Sequence, residues 1–470
     1  MGERPHLAVI GAGPAGLAAT LAAAGRGARV TLIDSGAAAG GQFYRQPAAE
    51  LRAGRPQALH HQWRTWERLR DGLREHVKAR AVSHLTDHHV WFVERRLPDG
   101  FTVHALLGPE QQDPAVVHAD AVLLATGGYE HVLPFPGWTL AGVLTAGGAQ
   151  AMLKGTLTAP GRTAVVAGTG PLLLPVATGL AAAGVELAAL VESADPRAFV
   201  RQSRALVSQP GKLGEGAAYA GQLLRHRVRT LFRHTVVEAH GTDRVEAVTV
   251  AALDADGRVR PGTGRRIACD SLAVSHGMLP HTDLAESLGC RLDGPRVHVD
   301  DEQRTDVPGV WAAGEVTGIG GSALALAEGH IAGLSAAARL LGTEADPGEW
   351  AAAAKSRTGQ REFAAALDRV YRPPAHWTEQ VADDTVLCRC EEVTAGAVRE
   401  AVDELGAGDL RTVKLLTRAG MGWCQGRMCG PAVAGLTGCQ FTPSRRPFAR
   451  PVPLGVLAQE PDQPTERGPS

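Results

Sequence analysis

The stretch Leu7 to Asp34, LAVIGAGPAGLAATLAAAGRGARVTLID, limits what this 470-residue chain can fold into. It reads as a strand, a tight turn, a helix and a second strand closed by an acid. Leu7 to Ile10 are apolar, and Gly11, Gly13 and Gly16 take the G-x-G-x-x-G positions. Gly11 permits the turn, Gly13 lets the backbone approach a pyrophosphate, and Gly16 lets the helix lie close on the strand. Pro14 and Ala15 open that helix, whose N-terminal amides face the phosphates with the macrodipole behind them. Asp34, 23 residues after Gly11 and just before Ser35, accepts hydrogen bonds from a ribose and repels a 2′-phosphate. Glycine-rich turns alone are common. With both strands and the acid in register, this one points to a dinucleotide site on a parallel α/β sheet.

A chain of this length divides into several domains. Its net charge of −1 and sequence pI of about 7.0 give no reason to expect nucleic acid or an anionic membrane as partner. Ala164 to Val185 carries no charge, but Gly168, Gly170, Pro171, Pro175 and Gly184 suit strand, turn and helix better than a membrane span. A soluble cytoplasmic protein is expected. No C-x-x-C motif is present among its seven cysteines, which disfavours a dithiol flavin reductase.

Beyond Asp34, Gly40 and Gly41 turn the chain sharply, and Gln42 can hydrogen-bond the edge of a polar ring. Residues 50–76 look helical, and 76–85 looks like a strand whose backbone near Val82 contacts an adenine. Asp120 to Ala125 form a buried strand, and Thr126-Gly127-Gly128 the turn after it. In flavoproteins with two dinucleotide folds, such a turn returns the chain to the FAD pyrophosphate. Residues 163–192 then copy the opening logic, with Gly168 and Gly170 for Gly11 and Gly13 and Glu192 for Asp34. Leu173 replaces the third glycine. A second nucleotide fold is expected, its occupancy by NAD, another nucleotide or nothing being open, and Glu192 disfavours NADP.

The pattern T-x(4)-hhh-x-G-[DE] begins at Thr305, with Val310-Trp311-Ala312 as its strand and Gly314-Glu315 at its end. In flavoproteins this acid hydrogen-bonds the ribityl chain. Three separated segments, 7–34, 120–128 and 305–329, thus converge on one FAD.

Near the end stand Cys388-x-Cys390, 33 intervening residues, and Cys424-x(4)-Cys429. Four thiolates suit Zn²⁺ or an iron–sulfur cluster. The C-x-C pair sets two sulfurs close together on one extended segment, which favours the compact [2Fe–2S] rhomb. Between the pairs Thr394 starts a helix with Val398, Ala401 and Leu405 on one face. The expected division is a first FAD-binding part (1–150), a second nucleotide fold (151–270), a second FAD-binding part (271–342), a linker (343–380), a small helical [2Fe–2S] domain (381–440) and a tail (441–470).

Together GGQFYRQ (40–46), ATGGYEHVLPFPGWTLAGVLTAGGAQ (125–150), VWAAGEVTGIGG (310–321), CRCEEVT (388–394), TRAGMGWCQGRMC (417–429) and RPVPLG (450–455) resemble one family. It is that of the large FAD subunits of bacterial heteromeric amine and amino-acid dehydrogenases, which includes those of opine oxidase and hydrogen cyanide synthase and the α subunits of proline and hydroxyproline dehydrogenases. The cysteine domain resembles the bacterioferritin-associated ferredoxin type, with a longer second pair.

The resemblance implies an electron-transfer subunit with no general base of its own. A smaller glycine-oxidase-like flavoprotein subunit would oxidise the C–N bond of the substrate. The further parts of the hetero-oligomer would be an FMN at the subunit interface and a small ferredoxin-like subunit. Gly11, Gly13, Ala15, Asp34, Gln42, Thr126, Gly127, Gly314 and Glu315 would hold FAD, and the four cysteines the cluster. Ser35, Gly41 and Ala125 flank these positions. Two other readings remain at this point: a self-sufficient NAD(P)H-dependent flavin oxidoreductase, and a zinc-bound scaffold or sensor.

Overall fold

The computed structural model describes residues 4–96, 100–203, 209–439 and 446–459. Its first unit is a parallel sheet of five strands, in the order Val310–Ala312, Ala121–Leu124, His6–Ile10, Arg29–Ile33, Val82–Leu85. Alternation sorts the central strand onto two faces. Leu7 and Val9 pack with the helices Pro14–Gly25, Trp63–Lys78 and Gly321–Leu340, while Ala8 and Ile10 meet an antiparallel layer of His88–Arg95, Phe101–Leu107 and Asp113–Ala119. A sheet covered on both faces needs near-continuous apolar strands, which is why LAVI and AVLL carry no polar residue.

The helix Pro14–Gly25 takes Pro14 at its start, where the missing N–H costs nothing. Its small residues let Gly321–Leu340 lie almost in contact with it. A Cβ on Gly329 would stand 2.1 Å from the Ala15 carbonyl oxygen, and one on Gly333 2.3 Å from that of Ala19.

The second unit repeats this plan. Five parallel strands run in the order Thr230–Phe232, Glu186–Glu192, Thr163–Gly168, Ser271–Ser275, Val143–Thr145. The antiparallel layer His234–His240, Ala247–Ala252 and Arg265–Ala268 covers one face, and the helix Leu173–Ala182 packs on the other. The expected boundaries at 150 and 270 fall inside this unit. Val143–Thr145 and Ser271–Ser275 pair with each other (Leu272 with Val143), so both belong to the second sheet. The chain crosses between units on a two-stranded antiparallel ribbon, Gly128–Glu130 against Met278–Pro280.

The expected linker 343–380 is mostly a packed element. Its alanine-rich stretch forms the helix Ala351–Val370, from which Arg357 donates to Gln303 and to the Asp301 carbonyl. Beyond it the strands Val386–Cys388 and Val393–Thr394 and the helices Ala395–Asp403, Leu410–Thr417 and Gly430–Thr437 enclose a core of their own. Thr394 caps the first of these helices by accepting from the Ala397 amide, and Val398 and Ala401 are buried. Leu405 departs from the expected apolar face, since it lies past the helix end and is exposed. In the tail, residues 446–459 return to the first unit, where the Ala449 amide donates to the Trp91 carbonyl and the Phe448 ring meets that of Trp91 edge-on. Among the described residues no helix is long and apolar enough to cross a membrane.

Candidate functional site

The carboxyl ends of the first sheet's strands gather the three segments. Gly11 adopts a φ of +106°, and a Cβ there would stand 2.3 Å from the Ala125 carbonyl oxygen. Gly16 is equally constrained, its Cβ position lying 1.8 Å from the Gly11 oxygen. Gly13 differs: nothing lies within 4 Å of its Cβ position, so the backbone is open where a pyrophosphate would approach. Gly41 folds over this turn, with its Cβ position 2.8 Å from the Gly13 Cα, and the Gly40 amide donates to the Ala12 carbonyl at 2.8 Å. Ala125 closes the third segment by donating to the Ile10 carbonyl at 2.9 Å. Gly314, at a φ of +82°, brings its own Cβ position within 2.8 Å of the Ala15 Cβ.

Asp34 accepts the amides of Ala12 and Gly36, at 2.5 and 2.6 Å, and so ties the turn to the second strand. Burial raises its pKa against the pull of those two amides. Glu315 is raised by burial too, opposed by the Gly321 amide at the start of the long helix. An open glycine before one helix, a desolvated acid before another and an acid at the second strand's end fit the pyrophosphate, ribityl and ribose groups of FAD.

Three further expected residues have the following surroundings. Val82 starts its strand and pairs with Val30, whereas Asp34 donates to the Leu85 carbonyl at the opposite end. Three residues of strand separate the two ends by about 10 Å. Ser35 is exposed, and so is Gln42, whose oxygen accepts from Arg45. Thr126 and Gly127 are held by the chain beyond the ribbon: the Thr126 hydroxyl donates to the His281 carbonyl at 2.6 Å, and the His281 amide donates to the Gly127 carbonyl at 3.0 Å.

Two charged residues escaped the sequence reading. Glu328, fully buried, accepts from the Gly314 amide and the Thr317 hydroxyl on one oxygen and from Arg361 on the other. Lys154 donates to the Phe43 carbonyl, and burial lowers its pKa to about 8. Each is a lone charge in an apolar helical run, a signal that was legible.

The second turn keeps most of the first one's geometry. A Cβ on Gly168 would meet the Ser275 oxygen at 1.7 Å, while the Cβ position of Gly170 is open. Glu192 accepts the Gly170 and Ala194 amides, at 3.2 and 2.9 Å, as Asp34 accepts those of Ala12 and Gly36. Burial pushes its pKa up to about 7. Leu173, in place of the third glycine, opens the helix and fills the core beneath it.

In the last domain Cys388 ends a strand and Cys429 precedes the helix Gly430–Thr437, both buried. Burial raises the Cys429 thiol, and Cys388, in hydrogen-bonding contact, and Cys424 raise it further. Cys390 is exposed and lies against Gly422, whose Cβ position is 3.0 Å from its sulfur. Among the described residues no three His, Cys, Asp or Glu side chains stand together at ligating distance. Four thiols with glycines 420 and 422 against two of them nevertheless match the donor set and backbone access that a [2Fe–2S] cluster needs. Cys269 and Cys290 are buried apart from this group, in the cores of the second and first units.

The model of the pyridine nucleotide-disulphide oxidoreductase family matches residues 5–339. The chain belongs to that family. This pyridine nucleotide-disulphide oxidoreductase is an FAD oxidoreductase, and a BFD-like [2Fe-2S] binding domain matches its residues 386–436. It is 33% identical to hydrogen cyanide synthase subunit HcnB of Pseudomonas protegens, over 90% of this chain and 89% of that one. It is also 33% identical to the A subunit of opine oxidase of Agrobacterium tumefaciens, over 91% and 84%. The fold of L-proline dehydrogenase from P. horikoshii superposes with a TM-score of 0.66 at 20% identity, covering 98% of this chain and 81% of that one. The oxidoreductase has no cysteine before Cys269, so the flavin turn carries none of the dithiol that the family name implies.

Proposed function

We propose that this oxidoreductase is the FAD- and [2Fe–2S]-carrying electron-transfer subunit of a heteromeric dehydrogenase that oxidises a C–N bond of an amino acid, opine or similar amine. The observation that carries the reading is the alignment, over about nine tenths of both chains, with a subunit of hydrogen cyanide synthase. The substrate pocket would lie on a smaller glycine-oxidase-like flavoprotein partner. An FMN at the interface and a small ferredoxin-like subunit would complete the assembly. The seven free cysteines suit a reducing cytoplasm.

On this reading Gly11, Gly13 and Ala15 present the helix amides to the FAD pyrophosphate, Thr126 and Gly127 flank it, and Glu315 meets the ribityl chain. Asp34 fixes the turn for the ribose. Cys388, Cys390, Cys424 and Cys429 hold the cluster as thiolates. FAD and the cluster supply the two- and one-electron chemistry when bound. The chain's own residues hold the carriers at fixed separation, tune them through backbone amides and exclude water.

An absorption spectrum of the purified chain tests the reading: flavin bands over broad iron–sulfur absorption are expected, and a colourless protein would overturn it. Anaerobic NADH separates the second reading, which the open Gly170 turn favours. Rapid bleaching of the flavin by NADH would make the chain a self-sufficient reductase. Absence of bleaching, with co-purification of a smaller flavoprotein, supports the electron-transfer subunit.

A further inference from the structure

Asp283 opens the short helix Asp283–Ser287, and two distant parts of the chain, with the neighbouring His281, meet on its carboxylate. Its side chain is only 13% exposed, with His281 Nε2 at 3.0 Å and Arg427 Nε at 2.8 Å from Oδ2, and Arg446 Nη2 at 3.1 Å from Oδ1. Burial pushes this carboxyl up, but His281 and Arg427 outweigh it and hold it well below the usual carboxylate range. A helix of five residues does not need three cationic or imidazole partners on one acid for its own sake.

Each partner comes from a different structure. His281 is bonded through its backbone to Thr126 and Gly127, the turn at the flavin site. Arg427 lies between Cys424 and Cys429 and donates through Nη1 to the Cys424 carbonyl at 3.4 Å and through Nη2 to the Ala449 carbonyl at 2.5 Å. Arg446 belongs to the returning tail. The cysteine domain has a second attachment, where Trp138 Nε1 donates to the Val386 carbonyl at 2.6 Å and the Arg389 guanidinium lies 5.4 Å from the Trp138 ring centre. That contact touches the chain at the first cysteine pair. At the loop of the second pair, Met428 packs on the second unit's core and Asp283 supplies the ionic contact.

We propose that Asp283 is a positioning residue that sets the separation between the thiol loop and the flavin turn, and with it the rate at which an electron crosses between the two sites. This rests on the functional reading above. The step moves one electron from reduced FAD to the oxidised cluster: one ferric ion becomes ferrous, a flavin proton passes to water, and no bond forms between the sites. The carboxylate works by neutralising two guanidinium groups that would otherwise repel each other in a mostly buried space. Without it Arg427 moves away from Arg446 and draws the Cys424–Cys429 loop with it. Electron transfer between separated carriers falls steeply with their distance, so a site held about 1 Å too loosely by its supporting residues transfers more slowly.

The purified full chain tests this without substrate or partner. FAD is reduced by light with EDTA as electron donor, and cluster reduction is followed by absorbance and electron paramagnetic resonance. Asp283→Asn is expected to keep wild-type FAD and iron contents and an unchanged cluster spectrum. Its flavin-to-cluster transfer should fall about tenfold or more. Because both residues act through one contact, Asp283→Asn with Arg427→Lys should be no slower than the slower single variant. A loaded Asp283→Asn protein that transfers at the wild-type rate overturns the inference alone. A wild-type chain without iron–sulfur absorption overturns the functional reading, and the inference with it. Should Asp283→Asn fail to hold a cofactor, Arg427→Gln, which removes the loop's own tie to the carboxylate, decides instead: slower transfer supports the proposal and a wild-type rate overturns it.

Discussion

The backbone amide of Gly314 donates to the carboxylate of Glu328, 14 residues on, at 2.9 Å. Gly314 sits at a positive φ in the turn that presents Glu315, so the bond fixes the backbone that on the proposed reading would face the ribityl chain. The same carboxylate accepts from the Thr317 hydroxyl at 2.7 Å and from Arg361 at 2.9 Å. Glu328→Ala leaves the Gly314 amide without an acceptor, while the Thr317 hydroxyl can turn to the Gly314 carbonyl and the part-exposed Arg361 to solvent, and is expected to cost about 1–3 kcal/mol. Urea unfolding of the purified protein reads the stability, and flavin fluorescence released on dilution reads FAD retention, which should fall in parallel. Glu328→Gln keeps one acceptor oxygen and should lie between wild type and Ala. Wild-type values for Glu328→Ala would show that the loop holds itself.

Gly11 and Gly13 separate folding from binding. A Cβ on Gly11 meets the Ala125 oxygen at 2.3 Å and must be carried at a φ of +106°, so Gly11→Ala is expected to destabilise the first unit itself. A Cβ on Gly13 meets nothing within 4 Å. Gly13→Ala should therefore leave the FAD-free protein with a wild-type melting temperature but lower its affinity for FAD at least about tenfold, the methyl standing where the pyrophosphate packs. Calorimetry of the FAD-free proteins and FAD titration make the comparison. Equal FAD affinity in Gly13→Ala and wild type would place the pyrophosphate elsewhere.

Legibility in the sequence followed the range over which each constraint acts. The turn at Gly11, Gly13 and Gly16 is a local requirement of one strand and one helix, and residues 7–34 state it completely. The C-x-C and C-x(4)-C spacings are local in the same way. Register is not. Val143–Thr145 and Ser271–Ser275 are too short for their residue pattern to show which sheet they join, so the pattern alone misplaces the boundary between units. Val82 reads as well at the start of a strand as at its end, and only pairing with Val30 puts it far from Asp34. Contacts such as Arg427 with Asp283, 144 residues apart, leave no trace in either residue's neighbours.

Glu192 gives stability a pH dependence. Burial raises its pKa from the ordinary 4.5 to about 7 in the folded chain. A carboxyl raised in the native state favours folding fully below the unfolded value, and that advantage is lost as pH rises through the folded one. Stability of the nucleotide-free protein should thus decline between about pH 4.5 and 7, by about 3 kcal/mol at most. Glu192→Gln keeps an acceptor for the Gly170 and Ala194 amides and cannot ionise. Its urea midpoint, measured at intervals across that window, should decline less steeply than the wild type's. Parallel profiles would mean that Glu192 is solvated or already paired in solution.

Cluster loss should be separable from flavin loss, because the cysteine domain encloses its own core, which includes Cys388 and Cys429 and no residue of the flavin turn. Cys424→Ser is expected to abolish bound iron while FAD stays stoichiometric. Cys269→Ser, at a buried thiol in the second unit, should change neither. Since burial and the neighbouring thiols raise the Cys429 pKa, a bound metal must displace a firmly held proton. Iron should therefore be lost to a chelator faster as pH falls, with FAD unaffected over the same range. Iron and FAD assays after gel filtration check both expectations. Joint loss of the two cofactors in Cys424→Ser would show that the cysteine domain supports the flavin site through contacts such as Arg427 with Asp283.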